Sequence, residues 1–182
     1  SKSLKSCSGI ALDVHVKLSV NKEKYAETGT ILITHKGFSG PLILRLSAFA
    51  ARNLYSNKYN GELRINWLCM PENEVRSKLD LYKSENGRKF LFNNKPFYEL
   101  PKNLWKALLL SINIDSQFKW ADLSKSKKEN LVKCLVMNKF LINSRGPFGE
   151  EFVTAGGVSL NEINFKTMES KICKGLFFAG EV

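Results

Sequence analysis

The sequence has few histidines and cysteines, and none of them forms a pattern typical of a metal or disulfide site. Only 2 histidines and 4 cysteines occur in 182 residues. The cysteines, at positions 7, 69, 134 and 173, lie far apart, whereas zinc sites use closely spaced pairs and secreted scaffolds carry many more cysteines. We therefore expect no metal site, and we expect buried free thiols in a reducing cytoplasm.

Targeting and nucleotide-binding patterns are also missing. No apolar stretch approaches the length of a membrane span, and residues 1–10 lack the apolar segment of a signal peptide. No G-x-G-x-x-G pattern occurs, so the phosphate-binding turn of a dinucleotide-binding βαβ unit is absent from the sequence. These absences predict a cytoplasmic protein without an ADP-binding unit of its own.

The charge is strongly one-sided. Lys and Arg number 28 against 17 Asp and Glu, for a net charge of +11, which favours an anionic partner. The basic residues are nevertheless dispersed, with no run of five or six. A lysine-rich solvated surface is the simpler interpretation, and a basic nucleic-acid-binding module stays as the alternative function.

Two kinds of periodicity divide the chain. Apolar and polar residues alternate over 10–20, which predicts a half-buried strand, and 25–34 is a second β-prone segment that we expect to pair antiparallel with the first. Residues 61–70 and 139–144 are further predicted strands. The segment 71–137 is predicted to be mostly helical, with helix starts at Pro71 and Pro101 and a capping box formed by Ser126 and Glu129. An α+β fold follows.

The loop 34–41 contains two glycines and a proline, and helical spacing of apolar residues begins after it. Pro41 suits the first turn of that helix, and Ser39 is a candidate N-cap. Leu42, Leu46, Phe49, Ala50 and Leu54 form its predicted apolar face. A glycine-rich turn that opens a helix can bind anions, but a plain strand–turn–helix connection fits the residues as well.

The last thirty residues hold the densest glycine signals. Gly156 and Gly157 follow the β-prone run 151–154, and Gly180 follows a second predicted strand at 175–179. Adjacent glycines let a backbone approach a ligand closely or turn at positive φ. From the residues alone, a turn is the more frequent explanation of such a pair.

Three blocks of the sequence resemble a known flavoprotein family. The last block comprises VTAGGV at 153–158 and GLFFAGEV at 175–182; the other two are THKGFSGP at 34–41 and SGIALDV at 8–14. Together they closely resemble the BaiN/YhiN-type (aminoacetone-oxidase-like) NAD(P)/FAD-dependent oxidoreductases. One departure is Asn164-Phe165, where the family tends to have Asp-Pro, and we expect it to loosen that turn.

The resemblance implies a domain layout. In this family a doubly wound FAD-binding domain is interrupted by an insert with a small β-barrel-like antiparallel part and an inserted helical part. Residues 1–70 with 138–160 are then the β-rich part, 71–137 the helical part, and 161–182 the start of the return into an FAD-binding domain. The chain is thus expected to be excised from a larger flavoprotein that holds FAD, and to bind no FAD and catalyse nothing alone.

The resemblance also assigns residues to the cofactor. The positions expected near the flavin, its dinucleotide entrance or the strand end that faces it are Thr154, Gly156, Gly157, Val158, Gly180 and Glu181. The expected partners are the rest of the FAD-binding domain and a small-molecule substrate, with neither a membrane nor nucleic acid as an expected partner.

His35 and Ser39 are the candidate catalytic residues. They lie in the loop 34–41, which is expected to face the substrate side of the flavin. A histidine there can transfer protons near neutral pH. The alternative role for His35 is to brace the loop.

Overall fold

The computed structural model describes residues 2–144 and 156–180, in two compact units, Ser1–Pro147 and Phe148–Val182. The elements of the first unit are a 3-10 helix (Lys2–Cys7), β1 (Ala11–Val20), β2 (Glu23–Ile33), β3 (Phe38–Ser39), α1 (Pro41–Ser56), β4 (Gly61–Asn66), α2 (Glu72–Asn86), α3 (Lys102–Ser111), a 3-10 turn (Trp120–Asp122), α4 (Lys125–Val136) and β5 (Asn138–Ile142). Those of the second are a 3-10 turn (Leu160–Glu162), β6 (Ile163–Asn164) and β7 (Glu169–Ser170).

The first unit is built on one antiparallel sheet of five strands in the order β3-β2-β1-β4-β5. The predicted alternation is confirmed in β1, where Val14, Val16, Leu18 and Val20 are buried and the intervening side chains face outward. Together with four helices, this sheet confirms the expected α+β class.

The sheet is curled into a half-barrel, and an aromatic cluster joins its two edges. Phe38 lies on edge strand β3 and Phe140 on edge strand β5. In a flat sheet these strands would be about 19 Å apart, because each spacing is about 4.8 Å. Their ring centroids are 4.8 Å apart, and Trp67 lies 6.2 Å from one ring and 6.3 Å from the other. The barrel-like expectation is therefore confirmed.

Phe140→Ala is expected to lower the free energy of unfolding by about 2 kcal/mol, since a half-buried ring and its two aromatic contacts are lost. Urea unfolding measures this difference. The matched control is Leu141→Ala, because Leu141 is the next residue of β5 and is 73% exposed. The control should change stability by less than about 0.5 kcal/mol, and equal losses in both variants would contradict the edge-to-edge closure.

Helix α1 packs on β2 through a stripe of four residues, Leu42, Leu46, Ala50 and Leu54. Two predictions about this helix are wrong. Phe49 is 64% exposed, because a stripe with four-residue steps turns position 49 away from the sheet. Ser39 does not cap the helix, since it belongs to β3 and pairs with Leu32 of β2. Gly40 occupies the N-cap position.

The helical part is organised around stacked aromatic rings. The Trp105 and Trp120 rings are stacked with centroids 6.5 Å apart, and Tyr82 lies 4.9 Å from Trp120. Both indoles donate hydrogen bonds to backbone carbonyls, Trp105 to Leu91 at 3.0 Å and Trp120 to Asn94 at 3.0 Å. The indole N–H groups are therefore satisfied inside an apolar core, as buried tryptophans require.

An ion-pair cluster joins α2 to α4. Arg76 donates to Glu129 at 2.7 Å and, within its own helix, to Glu72 at 2.8 Å. The predicted capping box at Ser126 is wrong, because α4 begins two residues earlier. Ser124 is its N-cap and accepts a hydrogen bond from the Lys127 N–H, which leaves Glu129 free to bind Arg76.

The second unit contains a small hairpin formed by β6 and β7, and the predicted strand at 175–179 does not form as a continuous strand. β6 pairs with β7, and from the predicted strand only Phe177 forms a bridge, with Glu169. The glycine at 175, at φ +83, and the turn around it interrupt a continuous strand. The predicted strand at 151–154 lies outside the described residues.

The four cysteines differ in burial. Cys7 and Cys134 are buried as expected, and burial raises the pKa of the Cys134 thiol. Cys69 and Cys173 are exposed, so the prediction of buried thiols is wrong for these two, because Cys69 lies in the bend after β4 and Cys173 lies in the bend before the apolar residues 176–179.

Among the helices within 2–144 and 156–180, none is long and apolar enough to cross a membrane.

Candidate functional site

The loop between β2 and β3 is closed by a threonine. The Thr34 hydroxyl accepts a hydrogen bond from the Gly37 N–H at 3.1 Å and lies 3.1 Å from the Gly37 carbonyl. The His35 side chain is exposed and forms no hydrogen bond or ion pair with any described residue. No hydrogen bond joins it to Ser39, which pairs through its backbone in β3. The loop shape therefore derives from Thr34, and the catalytic role of these two residues stays a prediction.

Gly40 accounts for the glycine requirement of this loop. Its φ is 100° and its ψ is 169°, a combination that is almost confined to glycine. A Cβ at this position would lie 3.0 Å from the Leu32 nitrogen and 3.0 Å from the Thr30 carbonyl oxygen. The close approach of the start of α1 to β2 thus explains the need for glycine at this position, and no ligand is required to explain it.

The glycines expected near the cofactor have an open backbone. Gly156 and Gly157 both have φ +134, and Gly180 has φ +86. A Cβ at Gly156 or at Gly180 would meet no atom of the described residues within 4 Å, and Val158 is half-buried. Open backbone in conformations that favour glycine fits the close approach of a flat or pyrophosphate-bearing group such as FAD. Thr154 and Glu181 lie outside the described residues.

The polar residues between these glycines brace the hairpin of the second unit. The Asn164 side-chain oxygen accepts a hydrogen bond from the Lys166 N–H at 3.1 Å. The Asn164 backbone carbonyl accepts one from the Met168 N–H at 2.7 Å. The Glu169 carboxylate accepts from the Gly175 N–H at 2.7 Å. Asn164 therefore closes the turn that we expected to be loose, since asparagine stabilises turns through its own side chain.

Sequence reasoning missed a cluster of cations on the outer face of the sheet. Lys17 on β1 lies directly opposite Arg64 on β4, which lies directly opposite Lys139 on β5. We call these three residues the basic row. No local sequence pattern shows this cluster, because the three residues are far apart in sequence and only the strand register brings them together.

The Glu62 carboxylate lies beside the basic row. Glu62 accepts a hydrogen bond from the Arg64 Nε at 2.6 Å and contacts the Lys139 ammonium. These partners, Lys139 first and then Arg64, hold the pKa of the Glu62 carboxyl below its ordinary value. A lowered pKa in the folded chain means that this stabilisation is present above the unfolded pKa and is lost as the pH falls through the folded pKa.

Lys139→Gln is expected to raise the pKa of Glu62 toward its ordinary value, because the largest stabilising contact to the carboxylate is removed while the Arg64 contact stays. A pH titration of the Glu62 side-chain carboxyl carbon by NMR measures the shift. Lys133→Gln, at an exposed position on α4, is the control and should leave this pKa unchanged. An unshifted pKa in Lys139→Gln would contradict the assigned cause.

Metal-binding side chains are not clustered in the described part of the chain. Over residues 2–144 and 156–180, no three or more His, Cys, Asp or Glu side chains group in a way that would hold a metal ion. The candidate chemistry therefore rests on the open glycines, the loop at 34–41 and the basic row.

Comparisons with known proteins cover almost the whole chain. The family model described as HI0933-like protein barrel and H2TH domain matches residues 1–153. The chain is 30% identical over 181 residues to the protein named ribosomal RNA dihydrouridine synthase in Haemophilus influenzae, covering 100% of this chain and 42% of that protein. It is 29% identical over 163 residues to the Escherichia coli protein of the same name, covering 86% of this chain and 38% of that protein.

A third relative carries a different name. The 3-dehydro-bile acid delta(4,6)-reductase of Clostridium scindens is 27% identical over 177 residues, which is 96% of this chain and 42% of that protein. The chain thus spans about two fifths of the length of these curated relatives.

Proposed function

We propose a function from the premise that this chain belongs to the HI0933-like barrel and H2TH domain family, whose model covers residues 1–153. The chain forms the substrate-side part of an FAD-dependent oxidoreductase. The half-barrel and helices are an insert, and the second unit leads toward the FAD-binding part. Inactivity of this chain on its own is part of the proposal.

FAD, when bound, supplies the hydride chemistry, with NAD(P)H as the proposed source of the hydride. The residues of this chain that would border it are Gly156, Gly157 and Gly180. Their positive φ, with open space at Gly156 and Gly180, would let the backbone approach the cofactor closely. Thr154, Val158 and Glu181 complete this proposed border. His35 and Ser39 are proposed on the substrate side, and the protein is placed in the cytoplasm.

The substrate class that we favour is RNA. The observation that carries this proposal is the similarity, over 100% of this chain, to a protein named ribosomal RNA dihydrouridine synthase. The net charge of +11 supports it, because cationic surfaces attract the phosphates of nucleic acids. RNA binding and flavin chemistry, which the sequence presented as alternatives, are thereby combined in one enzyme.

A small apolar molecule is the second candidate substrate. It is favoured by the similarity to the bile acid reductase, which extends over 96% of this chain. The excess of cations on this chain offers no advantage to a steroid-like substrate, whereas it does for RNA.

The visible absorption spectrum of the full-length gene product tests the oxidoreductase proposal. We expect flavin absorption bands, either as purified or after reconstitution with FAD. A colourless protein that takes up no FAD would contradict the proposal. Reoxidation of the reduced flavin by protein-free ribosomal RNA, compared with reoxidation by a bile acid that carries conjugated double bonds, then separates the two substrate classes.

A further inference from the structure

We propose that the outer face of the five-stranded sheet binds the phosphate backbone of RNA through the basic row, Lys17, Arg64 and Lys139. This inference rests on the proposed function, since it takes RNA as the substrate. It adds a contact surface on β1, β4 and β5, made of residues other than the glycines and the loop that are proposed to border the cofactor and the substrate.

The strand register places the three cations side by side. Lys17 pairs with Arg64, and Arg64 pairs with Lys139. Residues directly opposite each other in an antiparallel sheet point to the same face. The three side chains are exposed, and the three strands cover about 10 Å at a spacing of about 4.8 Å. The row is therefore an accessible, linear set of cations across the middle of the sheet.

The charges in the row are not balanced by the residues that the structure describes. Like charges directly opposite each other destabilise a sheet, and within the described ranges one carboxylate, Glu62, contacts Arg64 and Lys139. Lys17 forms no ion pair with any residue in the described ranges. Three cations and one carboxylate leave a net positive row, whose electrostatic repulsion a bound anion would relieve.

The neighbouring side chains on this face suit a sugar–phosphate backbone. The His15 Nδ1 lies 2.9 Å from the Thr28 hydroxyl in the next row, and Lys24 lies opposite Ser19 on the other side. Hydroxyl and imidazole groups hydrogen-bond to phosphate and to the 2′-hydroxyl of RNA. The negative end of the face is Asp13, which accepts a hydrogen bond from Thr30 at 2.6 Å, one row beyond His15.

The composition of the face favours a polyanion over a protein partner. Leu141, at the edge strand, is the large exposed apolar side chain that β5 contributes to it. Exposed apolar side chains instead occur on α1, where Leu44, Phe49 and Tyr55 are more than half exposed. Protein-binding surfaces have an apolar or aromatic centre, which the middle of the sheet face does not offer.

Phosphate contacts position a nucleic acid but do not read its bases. The basic row is therefore a positioning surface that holds the RNA on the sheet of the insert. We expect its removal to weaken RNA binding and to leave flavin binding and flavin reduction by NAD(P)H unchanged.

The test uses the full-length gene product and protein-free bacterial ribosomal RNA as the probe. The double variant Lys17→Gln/Lys139→Gln keeps the Arg64–Glu62 pair intact. The control Lys102→Gln/Lys125→Gln removes the same charge from two exposed lysines at the starts of α3 and α4 that form no ion pair with described residues. Filter binding over a range of KCl concentrations gives both the affinity and its salt dependence.

We expect the basic-row variant to bind about tenfold more weakly, and its plot of log K against log salt to be less steep by about 1.4, which corresponds to two phosphate contacts at about 0.7 each. The control should change affinity by less than about twofold. Lys17→Arg/Lys139→Arg keeps the charge and should bind like the wild type. An unchanged flavin spectrum shows that each variant is folded.

Three outcomes would overturn the proposal. Unchanged RNA binding by the basic-row variant would show that the basic row does not contact RNA, while leaving the proposed function intact. Equal weakening in the variant and in the control would show that net charge alone explains the effect, and the basic row would again be rejected as the binding surface. Absence of wild-type binding to ribosomal RNA at low salt instead contradicts RNA as the substrate, and the basic-row proposal is rejected with it.

Discussion

Replacing Trp120 with alanine is expected to lower the free energy of unfolding by about 3–5 kcal/mol, the cost of deleting a buried tryptophan. The Trp120 ring is fully buried between Trp105 and Tyr82. Its indole N–H also donates to the Asn94 carbonyl at 3.0 Å, so the variant leaves both a cavity and a carbonyl that has lost its partner. Urea unfolding followed by far-ultraviolet circular dichroism measures the loss.

Tyr98→Ala is the matched control for this substitution. Tyr98 belongs to the same helical part and is also aromatic, but it is 88% exposed. Its removal should change the free energy of unfolding by less than about 0.5 kcal/mol. A loss below about 1 kcal/mol for Trp120→Ala would mean that the stacked rings are not the centre of the helical core.

Gly40→Ala is expected to lower the free energy of unfolding by about 2–4 kcal/mol. A residue with a side chain in this backbone region costs of order 1–3 kcal/mol. The new Cβ would in addition lie 3.0 Å from backbone atoms of Leu32 and Thr30, and neither strand atom can shift without disturbing β2. Thermal and urea unfolding measure the loss.

Gly37→Ala provides the control in the same loop. Gly37 does not have a positive φ, and a Cβ there would meet no atom within 4 Å. We expect a change of less than about 0.5 kcal/mol. If both variants lose stability equally, the glycine requirement arises from general loop flexibility and not from the contact between α1 and β2.

Local patterns in the sequence were sufficient to predict most elements of the first unit. Alternation over 10–20 predicted β1 to within one residue of its observed start at Ala11. Pro71 and Pro101 correctly marked the starts of α2 and α3, because proline is well tolerated at a helix start. These features depend on residues that are close in sequence.

The features that the sequence did not reveal depend on distant contacts. Ser39 resembled a helix cap, but pairing with β2 took it into β3. Ser126 and Glu129 had the spacing of a capping box, but Glu129 binds Arg76 from another helix. The residues at 175–179 had the composition of a strand, yet the turn around Gly175 leaves only a bridge at Phe177.

Only the backbone conformation at the candidate site can be compared with the sequence. The positive φ at Gly156 and Gly180 agrees with what glycine indicates at these positions, and their role at the cofactor stays a prediction. The basic row was not predictable, because Lys17, Arg64 and Lys139 meet only through the register of three strands. Register is set by burial of the opposite face, which no short window of sequence contains.

We propose that this chain is the substrate-side part of a flavin-dependent enzyme that reduces RNA. The most direct test incubates the full-length gene product with FAD, NADPH and protein-free ribosomal RNA from a strain that lacks the gene. Nucleoside mass spectrometry then compares uridine with its product carrying two additional hydrogens. We expect dihydrouridine that depends on both NADPH and the protein. Flavin that is reduced by NADPH while the RNA stays unmodified would contradict it.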